Sequence, residues 1–159
     1  MTQPDTSPSV CSPDEFHAWI EDAVRFGDTD AQGHVNNVTF ARYAETGYVP
    51  FMREAGLLSD PGRMAVAARI EIDFRSEIFY PAVVRIGTAL ERVGRSSITL
   101  RQGLFVETLC VATVRLVLVL IDRNTRRPVG VDNALIARLR ALSEGLSDQP
   151  TSLAASRAT

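Results

Sequence analysis

Four closely spaced strand-like runs lie between positions 66 and 122, the first two alternating apolar and polar residues, and this series commits that part of the chain to neighbouring strands of one sheet. Val66, Ala68, Ile70, Ile72 and Phe74 alternate with Arg69, Glu71, Asp73 and Arg75. After a Tyr80-Pro81 turn the pattern resumes in Val84, Ile86, Thr88 and Leu90, within a strand expected over 84–93, and Gly94 then punctuates a hairpin. A third strand is expected from Ser96 to about Val106 and a fourth from about Thr108 to Asp122. The fourth is apolar on both faces (CVATVRLVLVLI), which predicts an interior strand covered on both sides. Connections this short join antiparallel neighbours, because a parallel pair needs a long crossover.

Upstream, alternation from about Trp19 to Phe26 predicts one more strand, ended by the Gly and Asp residues of GDTDAQGH. The period then changes. Ala41, Ala44, Tyr48, Phe51, Met52 and Ala55 recur at helical spacing, with Asn36 or Asn37 as the cap and Gly56 as the stop. Pro50 cannot donate to the Thr46 carbonyl and, together with Gly47, is expected to kink or divide this helix. A turn at NTRRPVG leads into a short helix, Asn133 to Leu142, with Leu135, Ile136, Leu139 and Leu142 on one side. The order strand, long helix, four strands, short helix predicts an α+β fold, a five-stranded antiparallel sheet curled around the long helix.

A chain of 159 residues, 45% hydrophobic, has room for one such core and no second domain. The domain is expected over 14–142, between tails at 1–13 and 143–159 that lack periodic apolar residues and are expected to be disordered. A formal net charge of -2 gives no general attraction to nucleic acid or anionic membrane. The longest apolar stretch, Leu116 to Ile121, is far short of the roughly 20 residues a spanning helix needs. The N-terminus has neither a basic nor an apolar leader region, so a cytoplasmic setting is expected. Cys11 and Cys110 lie far apart in different contexts without CxxC or His/Cys spacing, so neither a disulfide framework nor a metal site is expected.

The segment VRFGDTDAQGHVNN (24–37), followed by a helix carrying RYAET, resembles the signature of the 4-hydroxybenzoyl-CoA thioesterase family of hot-dog proteins. The Tyr80-Pro81 turn and GRSS (94–97) fall where that family has a turn and a phosphate-proximal hairpin, so the resemblance covers about Phe16 to Leu142. It implies a hot-dog fold and acyl-CoA hydrolysis. The family's essential carboxylate falls on Asp30, with Asp28 the other candidate; its helix-terminal backbone amide falls on Asn37 and its second acidic position on Glu45. Arg95, Ser96 and Ser97 fall on the hairpin that meets the CoA phosphates. The resemblance further implies two subunits that join their sheets and share two sites at the seam, often paired again into tetramers. No cofactor is implied beyond coenzyme A, which is part of the substrate. Acyl carrier protein, presenting the same pantetheine arm, is an alternative donor.

Thioester hydrolysis requires charge stabilisation at the carbonyl oxygen and a nucleophile or a base for water. The first amide of a helix has no intrahelical acceptor and stands at the positive end of the dipole, so Asn37 N–H is suited to the first task. Asp30 is suited to the second, and Gly33 lets the loop turn tightly enough to bring the two together. His34 either shapes this loop or takes part in the chemistry, and Asn36 reads as a cap or loop organiser. Tyr43, Tyr48 and Phe51 either line an acyl pocket or pack in the core, while His17 and Trp19 read as strand or dimer-edge packing. Two other functions compete. A hot-dog hydratase pattern, D-x-N-P-hydrophobic-H, needs Asp and His five apart, whereas Asp30 and Asp28 stand four and six before His34. A non-catalytic acyl-CoA binder would use the same cleft without cutting.

Overall fold

A computed structural model describes residues 11–145. Most of both expected tails, 1–10 and 146–159, lies outside the described residues. Five strands form one sheet: β1 (Ala18–Ala23), β2 (Arg63–Phe74), β3 (Val83–Val93), β4 (Ser97–Val106) and β5 (Leu109–Asp122). Their order across the sheet is β1-β3-β4-β5-β2, every neighbour antiparallel. The long helix α1 (Asn37–Glu54) and the short helix α2 (Asn133–Ser143) complete the α+β architecture expected from the alternation, the hot-dog fold that the resemblance implies.

The core lies between α1 and one face of the sheet, in two joined halves. Phe40, Tyr43 and Ala44 from the first turns of α1 pack with Val84, Ile86, Leu104, Ala112 and Val114. Phe51, Met52 and Ala55 from its last turns pack with Leu100, Leu116 and Leu118, and α2 closes this half with Leu135, Leu139 and Leu142. Each Val, Leu, Ile, Phe or Met among them, fully buried, stabilises the fold by about 1.5–3 kcal/mol. The buried stripe of α1 thus runs through Phe40, Tyr43, Ala44 and Phe51, with Ala41 and Tyr48 half-buried at its margins.

Gly47 and Pro50 do not divide α1, which continues through both as one element. Gly47 serves close approach instead: a β-carbon there would collide with Ile86 Cγ2 and Gln102 Nε2. Gln102 fixes that approach by donating to the Ala44 carbonyl at 3.0 Å and to Thr88 Oγ1 at 3.1 Å. Burial of the flanking Phe51 and Met52 holds the turn containing Pro50 despite its missing donor.

Three other expectations are corrected. β1 ends at Ala23 rather than near Phe26, because Phe26–Asp28 turn as a short 3-10 helix. β5 is interior, as expected, and its Ala112, Val114, Leu116, Leu118 face is buried, but cover on the other face is partial: Val117 and Val119 are half-buried and Arg115 is exposed. The cysteines are neighbours in space. The segment ahead of β1 folds back across the outer face of the sheet, where Phe16 fills a slot over Gly87 and Gly103 and joins Trp19, Phe105, Cys11 and Cys110 in one cluster.

Candidate active site

The segment between β1 and α1 is a tight loop tied to its neighbours by backbone. The Asp30 N–H donates to His34 O and the Gly33 N–H to Asp30 O, each at 3.0 Å, and Gly33 takes φ 86°, a conformation that favours glycine. Val35 N–H donates to Ile78 O at 2.7 Å and Asn36 N–H to Asp28 O at 2.9 Å, which fixes the point where α1 begins. The Asn36 side chain caps the helix by accepting from Val38 N–H at 3.0 Å. Asn37 is therefore the first helical residue, and its N–H is one of the amides that helix geometry leaves without an intrahelical acceptor.

The two candidate aspartates have separate surroundings. Asp28 is buried and its carboxylate accepts from Arg25 N–H at 2.8 Å, Arg42 Nη2 at 2.5 Å and Tyr43 Oη at 3.3 Å. Burial by itself raises the Asp28 carboxyl, but the Arg25 amide, the Arg42 guanidinium and the Tyr43 hydroxyl outweigh it and hold the group below the ordinary carboxylate range. Burial and the adjoining Asp28 push the Tyr43 hydroxyl up to about 12, so it stays a donor. Asp30 has a side chain 26% exposed; one oxygen accepts from Gln32 N–H at 2.8 Å, and the other lies 3.7 Å from His34 Nδ1. The Asp30 carboxylate retains room for a further partner, whereas that of Asp28 is filled.

His34 links Asp30 to a cleft of about 240 Å³ beside the mouth of α1. The cleft is lined by His34 and Asn37, by an apolar wall of Phe40 and Phe74 whose rings meet edge to face at 5.0 Å, and by Arg75 and Glu77. Asp30 is not among the lining residues and reaches the cleft through His34, whose Nε2 lies 3.0 Å from Gln32 Oε1 and 3.9 Å from Glu77 Oε1. Of the two readings open for the helix aromatics, core packing holds for Tyr43 and Phe51, and the cleft takes other rings. Tyr43 is buried on Asp28 and Phe51 sits in the core, while Phe40 and Phe74 face the cleft. Neither Arg75 nor the Arg42 partnership was legible beforehand, although both arginines stand in the segments that carry the motif and the second strand.

The other residues expected at the site stand apart from this cluster within one chain. Glu45 is exposed, about 12 Å along the helix axis from Asn37. Arg95, Ser96 and Ser97 join β3 to β4, at the end of β3 opposite the Asp30 loop, on the order of 30 Å along the strand. The Arg95 and Ser96 carbonyls accept from Val131 and Leu120 N–H, each at 2.9 Å or less, so the hairpin is anchored to its own end of the sheet.

Residues 24–139 match the family model described as the thioesterase-like superfamily. The chain belongs to that superfamily. Membership in the thioesterase-like superfamily bears out the resemblance carried by DTDAQGHVNN and the enzyme class it implied, a thioesterase. The PA5185 protein of Pseudomonas aeruginosa strain PAO1 is similar in structure, with a TM-score of 0.74 and 26% identity over 82% of this chain and 94% of that one. A thioesterase from Thermus thermophilus, solved with coenzyme A and zinc, gives a TM-score of 0.71 and 28% identity over 82% of this chain and 96% of its own. A curated relative from Aquifex aeolicus (strain VF5), provisionally named an esterase, is 30% identical over 56% of this chain and 73% of its length. Among the described residues, no helix is long and apolar enough to cross a membrane.

Proposed function

We propose that the protein hydrolyses acyl-CoA thioesters, with Asp30 as the reacting carboxylate and the Asn37 amide as the donor to the carbonyl oxygen. The observation that carries this reading is the division of labour in DTD: Asp28 is buried and fully engaged, while Asp30 keeps an oxygen 3.7 Å from His34 at the entrance of the cleft. As a nucleophile, Asp30 adds to the thioester carbonyl, CoA leaves as the thiolate, and water cleaves the mixed anhydride. As a general base, it takes a proton from the water that attacks. Acyl-enzyme trapped by acid quench, with the acyl mass on Asp30, marks the first route; quenching that yields only free acid marks the second.

A twofold pairing of chains is part of the same proposal. β2 is a twelve-residue edge strand with Ile70 and Phe74 exposed, a surface that proteins cover or pair. Its Arg63 end pairs with Asp122, at the same end of the sheet as Arg95–Ser97, and its Phe74 end borders the cleft. Joining two β2 edges antiparallel about a twofold axis carries the hairpin of each chain toward the cleft of the other. The CoA phosphates then meet Arg95, Ser96 and Ser97 of one subunit while the thioester lies at Asp30 of its partner, and Glu45 on the open face of α1 comes to lie near the seam. Such dimers pairing again would give a tetramer, and a cytoplasmic location remains part of this proposal. Acyl-CoAs are favoured over acyl carrier protein thioesters because the hairpin supplies a cation for the nucleotide phosphates.

Thiol release across short, long and aromatic acyl-CoAs, run beside Asp30→Asn, tests the activity. The expected result is hydrolysis of at least one thioester by the wild type and a loss of about 10²-fold or more in the variant. Mixing Asp30→Asn with Arg95→Ala subunits tests the shared site: activity above either parent is expected, and none above them contradicts it.

A further inference from the structure

The two cysteines of the chain lie on the outer face of the sheet, packed with Phe16, Trp19 and Phe105. Cys110 stands opposite Phe105 in the β4–β5 ladder, so both side chains share a face. Gly103 shares that face two residues along β4, and Cys11 lies directly over it: a β-carbon on Gly103 would stand 2.9 Å from Cys11 Sγ. Cys11 and Cys110 pack into the same cluster, against Phe16 and Phe105. We propose that Cys11 and Cys110 form a redox modification site, a dithiol that closes to an intramolecular disulfide and locks residues 11–16 onto the sheet.

The encounter is built by several contacts. Phe16 is seated over Gly87 and Gly103, the Glu15 carboxylate pairs with Arg101 at 2.6 Å, and the Arg101 guanidinium lies 4.9 Å from the Phe16 ring centroid. Trp19 closes the cluster, 5.8 Å from Phe16 and 5.6 Å from Phe105. Cys11 also borders an open cavity of about 290 Å³, which gives a small reagent access to one sulfur, and both cysteines are free and half-buried.

The reaction takes a low-molecular-weight disulfide such as oxidised glutathione as its oxidant. One protein thiolate attacks a glutathione sulfur, forming a mixed disulfide and releasing one glutathione thiolate. The second protein thiolate attacks the protein sulfur of that mixed disulfide and releases the other. Two thiols thereby give up two electrons and two protons, and one oxidised glutathione becomes two reduced molecules. Burial first, and then the adjacent Cys110, push the Cys11 thiol up to about 12, so it stays protonated at neutral pH and exchange accelerates under alkaline conditions.

The full chain is incubated with excess oxidised glutathione at about pH 9 and compared with a reduced control. Intact mass is expected to fall by two hydrogens, both thiols to vanish together from maleimide labelling, and trypsin to release residues 1–25 cross-linked to 102–115. The emission of Trp19, the one tryptophan, should change in step, and the urea midpoint should rise because a loop of about 100 residues is closed. Cys11→Ser and Cys110→Ser should each take up a single glutathione and form no link. Glutathione retained on both wild-type cysteines, a disulfide between chains, or two thiols that stay reactive would overturn the proposal. The wild-type peptide map decides even where a serine variant does not fold.

Discussion

Asp28 and Asp30, two residues apart in one loop, show how a single motif divides between holding the fold and leaving a group free to react. Asp28 points inward and is held by a backbone amide, a guanidinium and a phenol, which join the loop to the first two turns of α1. Asp30 hydrogen-bonds within its own turn, to Gln32 N–H, and leaves its second oxygen beside His34. The contrast teaches that the same side chain is structural where its acceptor sites are filled from other elements, and available where they are not.

The largest expected effect breaks the contrast on the open side. Asp30→Asn keeps the acceptor for Gln32 N–H, so turnover should fall by about 10²- to 10⁴-fold while thermal unfolding stays within experimental scatter of the wild type. Next comes the buried side. Asp28→Asn leaves the Arg25 and Arg42 donors poorly matched and should cost about 2–3 kcal/mol in urea unfolding, less than a fully buried ion pair because the Arg42 side chain is 47% exposed. Residual activity per folded molecule should then exceed that of Asp30→Asn.

Asn36→Ala probes the junction between the two. Loss of the cap should cost about 1 kcal/mol by chemical denaturation, and turnover should decline modestly because the Asn37 amide loses its fixed direction. The smallest effect is in acid. Because the folded Asp28 carboxyl is held below its unfolded value of roughly 3.9, its stabilisation is present above that pH and is lost as pH falls through the lower folded value. The slope of stability against pH below about 4 should therefore be shallower in Asp28→Asn than in the wild type.

The sheet, the long helix and the loop between them were legible because alternation of period two and a stripe of helical period are written locally. The division within DTD was not, since it depends on Arg42 and Tyr43 reaching back across 14 and 15 positions. The cleft wall was missed for a related reason. Phe74 reads as one more alternating strand residue, and only the strand order, with β2 at the edge and its end beside α1, leaves it exposed against Phe40. The hairpin at 94–97 was placed correctly in the chain, but its separation from Asp30 follows from the length and direction of β3. Pro50 carried a local signal for dividing the helix, yet α1 continues through it, and the meeting of Cys11 with Cys110 required the strap before β1 to fold back over the sheet.

The most direct test of the central claim is single-turnover CoA release at saturating enzyme, with acyl-CoA affinity measured on the same samples, for wild type, Asp30→Asn and Asp28→Asn. Unchanged affinity with release slowed at least about 10²-fold in Asp30→Asn alone is the predicted result. Wild-type release from folded Asp30→Asn would contradict it.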